Sequence, residues 1–305
     1  MLAHLYSPKL LVFYAFVAAS LYVHFRGRVR LPLRRQLGNH ATLLAPYNVL
    51  MYWFSKVPAR PLLDAAAFPE LAVLRAQWET IRDEAVALYQ GGEIGEAAGH
   101  TDIGFNSFFK YGWRRFYLTW YGQSLPSARA RCPKTVALVE SIPTVRAALF
   151  ALLPPGGKLN PHRDPFGGSL RYHLGLATPN SDACRIVVDG LPYSWRDGED
   201  IVFDETYIHW AENRTAGPRL ILFCDLERPL RTPFVRALNR WVSATVIRAA
   251  STRNVAAEDI GPINRLYSVL GRAGLMRRLK RKSKGAYRLV QLVLAGAFLY
   301  WLLFA

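Results

Sequence analysis

The chain has 305 residues, 51% of them hydrophobic and 20% charged, which excludes a disordered polypeptide and leaves room for one sizeable domain with appendages. Its cysteines, Cys132, Cys184 and Cys224, are an odd, scattered set with no C-x-x-C pair, which excludes a disulfide framework and fits a reducing compartment. The net charge of +17 raises nucleic-acid binding, but 13 of the 39 basic residues lie in two acid-free blocks, 26–35 and 272–288, leaving 26 against 22 acids; each block adjoins an apolar run, so anionic membrane lipids are the expected partner and nucleic acid is not.

In chain order, the first apolar run is Leu10 to Phe25, followed by Arg26, Arg28, Arg30, Arg34 and Arg35. It reads as a membrane helix near the lower length limit for a span. The rival reading is a cleaved signal peptide, disfavoured because only Lys9 immediately precedes the run and the arginine block follows it. Leu289 to Ala305 is a second candidate span, with a hairpin or surface helix as its alternative. Basic residues on the inner flank of each run place everything between them on the cytoplasmic side. Thr42 to Val57, interrupted by Pro46 and Asn48, reads as a membrane-surface or buried hairpin element rather than a third span.

Pro69 to Gln90 reads as one helix, with Leu71, Leu74, Trp78, Ile81, Ala85 and Leu88 at helical spacing and Gly91-Gly92 as its stop. Gly104 to Tyr121 is dense in aromatic and basic residues and reads as strand and loop; Pro133 to Ser141 is a shorter helix with Val136 and Val139 inward. From Arg146 the pattern turns to short β-rich pieces: 147–153, 169–176, 184–189, 191–195, 200–203, 207–211 and 219–225, broken by turn residues such as Asp189-Gly190 and Asp197-Gly198. Seven or eight strands so spaced predict a jelly roll. Phe234 to Arg248 is again helical, with Phe234, Leu238 and Trp241 on one face. The fold class is therefore α+β. The expected division is an anchor (1–30), a helical membrane-proximal region (31–130), a jelly-roll core (131–232), a basic juxtamembrane region (233–288) and a C-terminal membrane segment (289–305).

The residues that carry chemistry lie in the jelly roll. His162 and Asp164, two apart in Pro161-His162-Arg163-Asp164-Pro165, project together if the segment is extended, and His209 lies far enough downstream to fold back onto them. Two imidazoles and one carboxylate on one face of a metal leave three positions open, as in non-haem Fe(II) oxygenases. Taken alone, His162-x-Asp164 is a surface turn between prolines, and His209 a satisfied core histidine. Arg219 changes the balance. In the strand-like run Pro218-Arg219-Leu220-Ile221-Leu222-Phe223 it would point into an apolar barrel, where a guanidinium needs an anion. A dicarboxylate co-substrate would supply one; an internal ion pair with Asp204 or Glu205 is the bland alternative. Arg171 and His173, on one face of the strand after the metal pair, are candidates for holding its other carboxylate.

The runs His162-Arg163-Asp164-Pro165, Ser169 to Leu176, Val202 to His209 and Arg219 to Phe223 resemble the aspartyl/asparaginyl β-hydroxylase family. The runs His24 to Arg30, Ala45 to Tyr52 and Gly104 to Phe109 extend the resemblance along nearly the whole chain, toward the family's bacterial lipid A 2-hydroxylases. The resemblance implies a double-stranded β-helix (cupin-like) core and a dioxygenase using Fe(II), 2-oxoglutarate and O2. It implies a lipid A or lipopolysaccharide-precursor acyl chain hydroxylated at C2, at the bacterial inner membrane. By motif match, His162, Asp164 and His209 hold iron, and Arg171, His173 and Arg219 hold 2-oxoglutarate. The peptide-hydroxylating branch lacks the carboxylate found here at Asp164 and has a serine where this chain aligns Ala151. A peptidyl hydroxylase and a non-catalytic metal- or lipid-binding jelly roll are the alternatives. Lys110, Arg114 and Arg115 are candidate contacts for lipid phosphates, or else a solvated basic face.

Overall fold

A computed structural model describes residues 7–37, 40–97 and 102–273 and six isolated positions beyond them. Two antiparallel sheets form its centre. In chain order the strands are β1 (Leu62–Leu63), β2 (Arg114–Trp120), β3 (Gln123–Ser124), β4 (Val145–Leu153), β5 (Lys158–His162), β6 (Ser169–Ala177), β7 (Cys184–Val188), β8 (Leu191–Ser194), β9 (Asp200–Phe203), β10 (His209–Asn213) and β11 (Arg219–Glu227). The larger sheet runs β1-β9-β6-β11-β4-β2-β3 and the smaller β5-β10-β7-β8. From β4 onward, successive strands alternate between the sheets except at the β7–β8 hairpin, which lies wholly in the smaller one, as in the double-stranded β-helix of a jelly roll.

The three long strands β4, β6 and β11 are buried along almost their whole length, because helices cover the outer face of their sheet while the inner face meets the site. Covered on both faces, they read as near-continuous apolar runs with little alternation. The Asp189-Gly190 turn has positive φ at both residues, +50° and +87°, which suits the two-residue β7–β8 hairpin.

The helices named here are α1 (Pro8–Phe25), α2 (Ala45–Trp53), α3 (Trp78–Gln90), α4 (Pro133–Glu140), α5 (Pro233–Val242) and α6 (Pro262–Ala273). The helix expected over 69–90 is broken into a 3-10 turn, a short helix and α3, with Trp78 starting the last piece and its indole lying against Gly198. The segment 42–57 contains α2, which packs on α1 and buries Ala45, Asn48, Val49, Met51 and Tyr52; the buried reading applies. The helix expected over 234–248 ends as an α-helix at Val242 and continues as a π-turn, Ser243–Ile247. Within 104–121 a short helix, Asn106–Phe109, precedes β2.

α1 is the described helix long and apolar enough to cross a membrane, with 17% of its apolar window buried. The apolar run expected at 289–305 lies outside the described residues apart from two isolated positions.

Candidate active site

His162 ends β5, Asp164 follows just beyond it, and His209 opens β10 directly opposite His162 in the ladder. The pairing explains how residues 47 positions apart come together. One potential ligand atom from each of His162, Asp164 and His209 lies within 4.8 Å of the others. His162 Nε2 is 3.7 Å from Asp164 Oδ1, and the two imidazole centroids are 4.3 Å apart.

Each ring is oriented from behind. His162 Nδ1 donates to the Asn160 carbonyl at 2.7 Å and His209 Nδ1 to the Tyr207 carbonyl at 3.0 Å. Those bonds fix the tautomer that leaves both Nε2 lone pairs for a cation. Burial, with the His162 charge adding to it, pushes His209 down to about 3, so its ring is neutral at ordinary pH. Burial works against ionised Asp164, but the Arg171 guanidinium at 2.8 Å and the two imidazoles outweigh it and hold the carboxyl below its usual range. Two neutral imidazoles and an ionised carboxylate are the donor set a divalent iron requires.

A slot of about 30 Å³ leads inward from this triad between the sheets, lined among others by Ala151, His173, Trp195, Arg219 and Phe223. Arg219 is 2% exposed, and its Nε and Nη2 have no hydrogen-bond partner. Its guanidinium lies 4.4 Å over the Trp195 ring, and burial lowers it to about 10. Both ring nitrogens of His173 are buried and unpartnered as well, and burial beside Arg219 and Arg171 holds that imidazole far below its usual range. The internal ion pair weighed for Arg219 does not form. Asp204 pairs with Arg26 at 2.7 Å and Arg228 at 3.0 Å, while Glu205 accepts from Ser169 at 2.7 Å.

Arg171 lines the slot, and its guanidinium also lies against Asp164 at 2.8 Å and Asp225 at 3.0 Å, contacts the sequence did not suggest, through which it braces the candidate ligand carboxylate. Arg115 also departs from expectation: it is fully buried against Asp102 at 3.0 Å and faces no lipid phosphate. Arg114 bonds the Phe109 and Trp113 carbonyls, and Lys110 is exposed.

Sequence reasoning missed three residues that shape the site. Asn48 of α2 donates to the Pro165 carbonyl and accepts from Gly167 N–H, bracketing the loop after Asp164. Arg26 and Arg163 reach between α1 and the two ligand-bearing segments. Nothing in the local sequence distinguishes Arg26 from the neighbouring arginines expected to face lipid headgroups.

Residues 75–229 match the family model described as Aspartyl/Asparaginyl beta-hydroxylase. An ornithine lipid ester-linked acyl 2-hydroxylase of Rhizobium tropici is 34% identical over 183 residues, 59% of this chain and 65% of that protein. Human aspartate beta-hydroxylase domain-containing protein 2 is 28% identical over 216 residues, 67% of this chain and 57% of that protein. Human aspartyl/asparaginyl beta-hydroxylase is 29% identical over 166 residues, 52% of this chain and 21% of that protein. The chain thus spans less than two thirds of the length of each of these relatives. With the matched region covering half of its residues and carrying the whole candidate site, this chain belongs to the aspartyl/asparaginyl β-hydroxylase family.

Proposed function

We propose that this hydroxylase uses Fe(II) and 2-oxoglutarate to hydroxylate C2 of a lipid-borne acyl chain, with lipid A as the expected lipid. One observation carries the reading: the unpartnered Arg219 and His173 lie at the inner end of the slot whose mouth is the His162–Asp164–His209 triad. A buried, uncompensated guanidinium is costly unless an anion arrives to meet it. A keto acid that chelates a metal at one end and carries a second carboxylate at the other satisfies both ends of the slot at once.

In this reading His162, Asp164 and His209 hold the iron. Arg219 forks onto the far carboxylate of 2-oxoglutarate, with His173 beside it. Arg171 keeps Asp164 ionised and aimed at the metal. The Phe108 ring, 4.8 Å from the His162 ring, and Trp113 close the mouth against water. When bound, the metal, 2-oxoglutarate and O2 together supply the oxidant that converts C–H to C–OH, releasing succinate and CO2.

The acyl-chain substrate is supported by the acyl 2-hydroxylase similarity and by α1. The last turn of α1 is bonded into the core through Val23 and Arg26, which favours a retained anchor over a cleaved signal segment. Exposed aromatics continue the apolar surface: Trp53, whose ring meets Tyr22 of α1, and Phe234 and Trp241, seven apart on α5. An inner-membrane location, with the catalytic region on the cytoplasmic side, accounts for this surface and the flanking arginines. The test is succinate release by the full chain in nanodiscs given lipid A, ornithine lipid or an aspartyl peptide. Stimulation by lipid A, with one oxygen added to an acyl chain by mass spectrometry, is expected. Stimulation by the peptide alone would replace the acyl substrate.

A further inference from the structure

The end of α1 is joined to both segments that carry the triad. Arg163, between His162 and Asp164, extends Nη1 to the Val23 carbonyl in the last turn of α1. Arg26, the C-cap of α1, donates through Nη1 to Thr206 Oγ1 and through Nη2 to Asp204 Oδ2, each at 2.7 Å. Its guanidinium is sandwiched between the Tyr52 ring at 3.8 Å and the Tyr207 ring at 4.0 Å. Tyr207 supplies the carbonyl that orients His209.

The chain then passes close to a third point. Asp189 accepts from the backbone N–H groups of Arg28 at 3.0 Å and Val29 at 2.8 Å, and donates its own N–H to the Ile208 carbonyl at 2.8 Å. A side chain on Gly27 would come within 2.6 Å of Asp189 Oδ1, so only glycine fits that approach.

We propose that the C-terminal end of the anchor helix is a working part of the metal centre, and that Arg26 is a positioning residue for His209. The proposal rests on the metal reading above. A flexible tether would leave the site indifferent to the helix. Here the guanidinium of Arg26 fixes the 204–207 turn, the turn fixes the Tyr207 carbonyl, and that carbonyl fixes the imidazole. Arg163 ties the His162–Asp164 segment to the same helical turn. The metal thus sits at a set distance from the end of the anchor, and the mouth of the slot at a set distance from the lipid that the anchor crosses.

The experiment titrates the full chain in nanodiscs with Co(II), anaerobically and without 2-oxoglutarate, following the ligand-field absorption. Arg26→Gln is expected to weaken Co(II) about 10-fold, the low end of the range for losing a direct partner of a ligating histidine, because the Tyr207 carbonyl stays and only its support is lost. Its spectrum should shift toward that of His209→Ala. Arg26→Lys, which keeps the charge and loses the fork, should fall between wild type and Arg26→Gln. Arg30→Gln, removing a guanidinium over the Phe25 ring at 5.0 Å, should leave affinity and spectrum unchanged. Thr206→Val deletes the two hydroxyl bonds of the clamp, from Arg26 and to Asp204 Oδ1, while keeping the Arg26–Asp204 ion pair, and decides the matter if Arg26→Gln fails to fold. Wild-type affinity and spectrum in Arg26→Gln, or in Thr206→Val where Arg26→Gln is unfolded, would overturn the proposal while leaving the metal reading intact. Failure of the wild-type chain to bind Co(II) would remove both.

Discussion

Arg219 and His173 hold four buried nitrogen atoms without partners at the inner end of the slot. Such groups destabilise the ligand-free protein, and that gives stability and function opposite signs at this position. Arg219→Met is expected to raise the denaturation midpoint of the ligand-free protein while raising the KM for 2-oxoglutarate on the order of 10- to 100-fold, the loss of a charged hydrogen-bonded pair. A destabilised variant with an unchanged KM would remove Arg219 from the co-substrate site. His209 and Glu205 give opposed pH effects. Unfolded histidine takes a proton near 6.5, whereas buried His209 resists until about 3, so its contribution is complete above 6.5 and is lost as pH falls. Glu205 is the reverse. Burial, reinforced by Asp225 and Asp204, pushes its carboxyl upward from the ordinary 4.5, so its contribution is complete below 4.5 and is lost as pH rises through the shifted value. Each slope is at most about 1.4 kcal/mol per pH unit. Chemical denaturation of metal-free Glu205→Gln, neutral at every pH, should lack the loss above 6.5 and keep the acid-side loss. An alkaline limb as steep as the wild type's would contradict this.

At the scale of elements, the barrel was the legible part. The breaks at Asp189-Gly190 and Asp197-Gly198, and the β-branched and apolar runs between them, reproduce β4 and β6–β11 to within a few residues, because turn chemistry and strand burial are both local signals. Helix boundaries were less legible. The 69–90 run has one unbroken apolar stripe, and only docking of Trp78 on the Gly198 turn marks where it divides. His162, Asp164 and His209 could be named from residue type and spacing, and the ladder pairing supplies the contact. The braces could not be named, because Asn48, Arg26 and Arg163 act across more than a hundred residues of chain. Asn48→Ala tests one of them. Losing two bonds to the 165–167 loop should cost about 1–3 kcal/mol, read by denaturation, and should weaken metal binding more than a surface substitution of equal cost. Unaltered stability would show that α2 merely packs beside the loop.

On the scale of the whole molecule, the apolar helix α1 and the jelly roll are one structure rather than a domain on a leash. α1 packs on α2, α2 holds the loop after Asp164, and the end of α1 holds the turn before His209. This interlock joins the 24–30 and 45–52 runs to the candidate metal site, from which they are far in sequence. It also divides the first arginine block: Arg26 is inside the fold, whereas Arg28 and Arg30 are exposed. The proposed function depends on one slot that would take a cation at its mouth and a carboxylate at its inner end. Anaerobic titration of the full chain in nanodiscs with Fe(II), then with 2-oxoglutarate, measures both ends at once through the visible charge-transfer absorption of the chelate. One Fe(II) and one 2-oxoglutarate per chain are expected, with the band abolished in Asp164→Ala and displaced to higher 2-oxoglutarate concentration in Arg219→Met. A band that survives Asp164→Ala, or no band with the wild-type chain, would contradict the assignment.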